Sequence, residues 1–248
     1  MYRFYVERDA IAEEEIILTG EEVNHICNVL RMRAGEEVVI CDGMGTDYLC
    51  RLKEFTREFV TASIIAKSAS ETELPVRFVL FQGVPKKDKM ELIIQKAVEL
   101  GVYKIVPVIT KRTVVKPSEE KKEAKKRERF QAIARAAAMQ SMRGIIPQIE
   151  KELLFRDALK KAEELDALLI PYEEARGIEY TREVLAKLVA DGVRSIGIFI
   201  GPEGGFEREE VQAAQEMGAS CITLGHRILR TETAGLVTLS LLMTAFEV

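Results

Sequence analysis

Apolar and polar positions alternate in short runs over the first seventy residues. Tyr2–Glu7 alternates loosely, and Glu37–Cys41 is a strand ending in an Asp42-Gly43 turn signal. Asp47–Lys53 and Phe59–Ala66 follow at the spacing of a meander. One helix interrupts them. Thr19 to Glu22 matches a capping box, Val23, Ile26, Cys27 and Leu30 then recur at helical spacing, and Gly35 lies just past the end. The pattern predicts a small β-rich unit, a barrel, over residues 1–70, with the polar, proline-closed SASETELP (68–75) as linker.

From Val76 the rhythm becomes strand, helix, strand. RFVLFQGV is followed by a helix, then VYKIVPVIT, a long helix from about Ser118 to Ser141, and a short IPQIE. A helix near 153–165, the strand DALLIPY and a helix near 181–190 come next. VRSIGIFIG, the helix EREEVQAAQEMG, the strand ASCITLG and an apolar last helix complete the set. Near-continuous apolar strands alternating with helices predict an α/β domain over 74–248, its parallel sheet covered on both faces. Ligands of such sheets bind beyond the C-terminal ends of the strands. Three loops qualify: LLIPYEEA leaving at Pro171, IFIGPEGGFEREE leaving at Gly201, and ITLGHRILRTETAG leaving at Gly225.

Composition narrows the function. Hydrophobic residues make up 47% and charged residues 31%, which fits a soluble globular chain with ample core. The net charge of −4 argues against indiscriminate nucleic-acid binding, though not against a local basic patch. Cys27, Cys41, Cys50 and Cys221 form no CxxC pair and there are two histidines, so no metal site is expected. The polar N-terminus and unpaired cysteines point to the cytoplasm. The longest apolar stretch, Ala234 to Phe246, falls short of the ~20 residues of a membrane span.

GPEGG is neither a dinucleotide fingerprint nor a P-loop. By itself it reads equally as a tight turn before a well-capped helix or as backbone that approaches a ligand. In GHRILRTETAGL (225–236), Arg230 and Glu232 could simply pair with each other. That leaves Arg227, Thr231 and Thr233, gathered at the end of an apolar strand, without an explanation.

GPEGGF followed by LGHRILRTETA resembles the RsmE family of 16S ribosomal RNA uracil-N3 methyltransferases, in the knotted SPOUT class that uses S-adenosyl-L-methionine. RFYV (3–6), HICNVLRMRAG (25–35), QKAVELGVYKIVPVIT (95–110) and QSMRGIIPQI (140–149) extend the likeness along the chain. One departure is Met139, where the family usually carries glutamate, so no carboxylate role passes to that position.

The resemblance implies a PUA-like, RNA-binding β-barrel followed by a trefoil-knotted parallel sheet with helices on both faces. It implies S-adenosyl-L-methionine held by Leu169, Pro171, Ile200, Gly201, Gly204, Leu224, Gly225, Ile228, Leu229, Thr233 and Ala234. The chemistry moves a methyl group from a sulfonium to uracil N3, which must lose its proton. Arg230 is the candidate cation for the developing uracil anion. Glu232 and Glu203 are the candidate bases or fixers of the arginine, and the residues do not choose between them.

The first seventy residues hold eight Lys/Arg against thirteen acids, so specific residues must act there, and the resemblance points to Arg3, His25, Arg31 and Arg33, which fall in the family-like stretches. His25 reads equally as a solvated helix-face residue. Residues 111–129 hold nine Lys/Arg against four acids, and Lys122, Lys125, Lys126 and Arg129 share one helix face. Arg143 is a further candidate. The 16S RNA of the 30S subunit is the expected partner. The apolar last helix implies a homodimer through the C-terminal domain. Other expectations the residues permit are a non-catalytic ribosome-assembly factor and a related knotted methyltransferase with another RNA target.

Overall fold

The computed structural model describes residues 1–114, 120–175 and 177–247. The chain divides into two compact units, Met1–Glu73 with Ala138–Ile146, and Leu74–Ala137 with Pro147–Val248.

The first unit is a five-stranded sheet in the order β1 (Arg3–Tyr5), β3 (Glu37–Cys41), β4 (Thr46–Phe55), β5 (Phe59–Ala69), β2 (Glu15–Thr19). β1 and β3 are parallel and the other pairs antiparallel. Among the described residues β1 and β2 are the edges of this sheet, with no ladder between them. Alternation explains β2, which the hydrophobic pattern did not single out: Ile16 and Leu18 are buried, whereas Ile17 and Thr19 are exposed. The capping box expected at Thr19 does not form. Thr19 ends β2, and Gly20, with no side-chain cap, precedes the short helix α1 (Glu21–Asn24), which runs on as a wider turn over His25–Val29. The helical stripe itself holds, with Val23 and Ile26 in the core beside Phe4, Ile40 and Leu52.

Residues 138–146, expected within the C-terminal domain, group with the first unit. A buried ionic network fastens them. Arg143 pairs with Glu73 at 2.6 Å, their side chains 5% and 15% exposed. Glu73 also accepts the backbone N–H groups of Gly144 (2.7 Å) and Ile145 (3.1 Å). The Tyr5 hydroxyl donates to the carbonyls of Ala138 and Arg143. Burial pushes that phenol up to about 12 against the opposing pull of Arg3, so it stays a donor at any ordinary pH.

The second unit carries a seven-stranded sheet in which every pair is parallel. Its order is β12 (Ser220–Ile222), β10 (Ala167–Pro171), β11 (Ser195–Ile200), β6 (Arg77–Gly83), β7 (Val102–Ile109), β8 (Gln148–Ile149), with β9 (Leu153–Leu154) also on β7. The helices are α2 (Lys89–Glu99), α3 (Glu120–Gln140), α4 (Phe155–Ala162), α5 (Ile178–Ala190), α6 (Arg208–Glu216) and α7 (Thr231–Phe246). Continuous apolar strands suit a sheet covered on both faces. Phe81 and Phe199 stack across neighbouring strands at 4.4 Å, and Phe155 meets Phe199 edge-on. A capping box forms at the start of α6, where Glu207 and Glu210 satisfy each other's backbone N–H groups.

α7 buries Thr231, Gly235, Thr238, Leu239, Leu242 and Phe246, a single helical stripe. Thr238, Ser240 and Thr244 return their hydroxyls to the carbonyls four residues back, which satisfies them in an apolar helix. Among the described residues no helix is long and apolar enough to cross a membrane.

Candidate active site

The strand order gathers the ends of β12, β10, β11 and β6 side by side, so the three loops selected in the sequence leave from one stretch of the sheet's C-terminal edge. Ile200 at the end of β11 is in register with Gln82 near the end of β6. Gln82 is fully buried in an otherwise apolar strand. Its Nε2 donates to the Gly83 carbonyl at 3.0 Å and to Thr231 Oγ1 at 2.9 Å. Thr231 in turn donates to the Gly201 carbonyl at 2.6 Å. This relay ties the start of the last helix to the ends of two core strands, and it fixes where Arg230 and Glu232 stand. Gln82 Oε1 is left buried without a hydrogen bond.

Gly201 is required by close approach: a Cβ there would lie 2.9 Å from Gly205 Cα, so the GPEGG loop folds tightly on itself. Arg112, beyond β7, clamps the same loop. It donates to the Gly204 carbonyl at 2.8 Å and forms a forked pair with Glu207 at 2.8 and 3.0 Å.

Glu203 and Glu232 do not pair with the arginine. Both face Lys89, whose Nζ is 3.2 Å from a carboxylate oxygen of each. Glu203 further accepts the Lys86 backbone N–H at 3.1 and 3.3 Å. Burial pushes the Glu203 carboxyl up, but the backbone donors and Lys89 outweigh it and hold it below its ordinary value. The same two carboxylates raise Lys89. Glu232 Oε2 is buried and makes no hydrogen bond of good geometry, so the ammonium 3.2 Å away is the compensation for its charge. Held by Lys89 and by the Lys86 N–H, the Glu203 carboxylate ties the glycine loop to the segment after β6.

Arg230 stands immediately before α7, exposed, its carbonyl accepting from the Ala234 N–H at 2.8 Å. Among the described residues its guanidinium forms no ion pair. It is therefore available to a ligand.

The remaining expected donor contacts divide. Leu224, Gly225 and Leu229 are half-buried and Ile228 is 88% exposed, an apolar and backbone surface beside the strand ends. Pro171, Gly204, Thr233 and Ala234 also keep accessible surface there. Leu169 does not: it lies inside β10, paired with Ile198 and Ser220, fully buried, and belongs to the core. The Ile200 side chain is likewise almost wholly buried, which leaves its backbone as the group at the strand end. Half-buried leucines beside backbone N–H and C=O groups suit a neutral purine and a methionine chain, so the residues present fit S-adenosylmethionine.

The expected RNA contacts divide into side chains engaged within the chain and exposed ones. Arg3 is not available, because its guanidinium pairs with Asp47 at 2.5 Å and donates to Ser70 at 3.1 Å, almost wholly buried. Arg143 is consumed by Glu73. On α3, Lys126 pairs with Glu152 at 2.6 Å and Arg129 with Glu91 at 3.0 Å, so these two charges are neutralised within the chain. Lys122 and Lys125 are exposed. His25, Arg31 and Arg33 are exposed as well, His25 meeting Phe4 edge-on at 5.9 Å. Met139 is half-buried near the end of α3.

A family model described as an RNA methyltransferase domain matches residues 72–243, and one described as an RNA methyltransferase PUA domain matches 18–65. The chain is 37% identical over 245 residues to a ribosomal RNA small subunit methyltransferase E of Bacillus subtilis (strain 168), covering 97% of this chain and 95% of that protein. It belongs to the ribosomal RNA small subunit methyltransferase E family. A second relative, from Mesomycoplasma hyopneumoniae, is 36% identical over 97% of this chain and 98% of its own length. A crystal structure of a family member from Neisseria gonorrhoeae, bound to S-adenosyl methionine, matches with a TM-score of 0.80 at 33% identity, covering 98% of this chain and 97% of that one. The putative methyltransferase Lpg2936 of Legionella pneumophila, in complex with the same cofactor, matches at 0.78 and 28% identity, covering 98% and 97%.

Lys89, Gln82 and Arg112 were not singled out in the sequence, and Thr231 had no role. A polar residue inside an apolar strand was the available signal for Gln82. Nothing local marks Lys89 or Arg112, whose partners lie some ninety or more positions away.

Proposed function

We infer that the protein is an S-adenosylmethionine-dependent methyltransferase that modifies uracil N3 of a uridine in 16S ribosomal RNA. Membership of the family carries the reaction class. The observation that carries the assignment of the site is the Gln82–Thr231–Gly201 relay, which sets an unpaired Arg230 beside the glycine loop at the strand ends.

When bound, S-adenosylmethionine supplies an electrophilic methyl group. The chain's residues do the rest. Backbone around Gly201, Gly204, Leu224 and Gly225, with Leu229 and Ile228, encloses the donor. Arg230 presents planar paired donors to a uracil carbonyl and stabilises the anion left when N3 gives up its proton to solvent water. Glu203 and Glu232, through Lys89, keep the glycine loop and the start of α7 in register, so orientation supplies much of the rate.

The finer architecture follows the family: a trefoil knot at the chain end, a homodimer through the second unit, a cytoplasmic setting and the 30S subunit as partner. Support for the knot is the strand order, in which the last strand β12 pairs with β10 rather than with β11. Support for the dimer is the far face of α7, where Leu241 is 38% exposed and Leu236, Val237 and Met243 are half-buried. A crystal structure with S-adenosylmethionine reads the knot, the dimer and the donor site at once. Donor density beside Gly201 and Gly225 with α7 at a two-fold axis is the expected result; density elsewhere removes the site assignment.

A further inference from the structure

β6 and α2 are joined by a short loop, Val84 to Asp88. Val84 and Pro85 are buried, whereas Lys86, Lys87 and Asp88 are exposed. The loop emerges against the glycine loop: a Cβ on Gly83 would fall 2.6 Å from the nitrogen and Cδ of Pro202. Lys87 has a φ of 57°, a left-handed conformation that a residue with a side chain keeps only where its surroundings impose it. The constraint is visible on both sides. Glu203 accepts the Lys86 N–H, and Lys89 is held between Glu203 and Glu232. Both acids are therefore directed at the loop's backbone and at Lys89, and the Lys86 and Lys87 ammonium groups have no acidic partner among the described residues.

A chain with a net charge of −4 does not attract a polyanion by its overall field, so RNA must meet local, uncompensated cations. The strand-end edge provides them in Lys86, Lys87, Arg227 and Arg230, all exposed and without an ion pair among the described residues. Of the acids on the same edge, Glu207 pairs with Arg112 and Glu174 with Arg208, while Asp88 and Glu173 are exposed. Lysine is a point charge that suits a phosphate without reading a base.

We propose that the Val84–Asp88 loop is a phosphate grip for the substrate RNA. Lys86 and Lys87 neutralise backbone phosphates next to the nucleotide presented to Arg230, and Glu203 sets the loop's shape. The proposal rests on the inference that the protein methylates RNA. It gives Glu203 a task in substrate placement rather than proton transfer.

The test uses the full-length protein with assembled 30S particles, and separately naked 16S RNA, over a range of salt concentrations. Lys86→Gln removes one charge. Lys87→Asn removes the other with a residue that tolerates the left-handed backbone. Each substitution is expected to flatten the slope of log affinity against log salt by about 0.7–0.9, and the double variant to bind at least about tenfold more weakly at ~0.1 M salt. S-adenosylmethionine affinity, measured by calorimetry without RNA, stays within twofold. Lys187→Gln serves as control: it lies in the last turn of α5, which leads back to the start of β11 at the opposite edge of the sheet. An unchanged salt slope overturns the grip. So does an equal loss in the control, which would reduce the effect to net charge, and so does a fall in donor affinity with RNA binding intact. If the unaltered protein methylates no RNA, the functional reading itself fails. If it methylates and the double variant keeps its salt slope, only the grip fails.

Discussion

Arg230→Ala is expected to lower kcat by about 10²–10³-fold, or about 2.7–4 kcal/mol of transition-state stabilisation, with the fold intact. Arg230 is exposed and its structural contribution is a backbone carbonyl that alanine retains, so thermal unfolding and donor affinity stay near those of the unaltered protein. The loss falls on kcat because the guanidinium meets a charge that exists fully only once N3 has shed its proton. Glu203→Gln is the contrast. Its carboxylate is held by the Lys86 N–H and by Lys89, a positioning role, so the acidic limb of the kcat profile keeps its position in that variant and the damage appears in substrate affinity. Normal turnover in Arg230→Ala removes the arginine from the mechanism. Loss of the acidic limb in Glu203→Gln restores that glutamate as a base.

Glu73→Ala carries the second large effect, on stability. Arg143 is 5% exposed and Glu73 is its charge partner, while Gly144 and Ile145 donate backbone N–H groups to the same carboxylate. Removing Glu73 takes away the carboxylate 2.6 Å from a buried guanidinium and the acceptor of the Gly144 N–H, which costs about 3–5 kcal/mol. Urea denaturation reads this as a lower midpoint at an unchanged m-value, and hydrogen exchange reads it as lost protection over residues 142–146. Replacing both partners, Glu73→Leu with Arg143→Met, recovers part of the loss because both charges of this pair leave together. A single variant within about 1 kcal/mol of the unaltered protein would make the network a surface pair in energetic terms.

The same pair shows where sequence reasoning reached and where it stopped. Strands β6, β10 and β11 were legible because a sheet buried on both faces leaves a continuous apolar run, and the loops after β10, β11 and β12 followed from where such strands end. The Val23–Ile26–Leu30 stripe was legible for the same local reason. Long-range pairing was not. Arg143 is an RNA candidate through the family-like QSMRG, and that stretch carries no local sign of its glutamate partner seventy positions earlier. Thr19 looked like a cap because its spacing fits, yet β2 claims it through pairing with Phe59. The working capping box, at Glu207 and Glu210, uses a glutamate where serine or threonine is usual. Lys89 became visible only when strand order brought Glu203 and Glu232 to one ammonium.

Incubating the protein with methyl-labelled S-adenosylmethionine and 30S particles, then identifying nucleosides by mass spectrometry, tests the central claim most directly. The account predicts label on N3 of a uridine in 16S RNA. Label on another base, or on another atom of uracil, contradicts it.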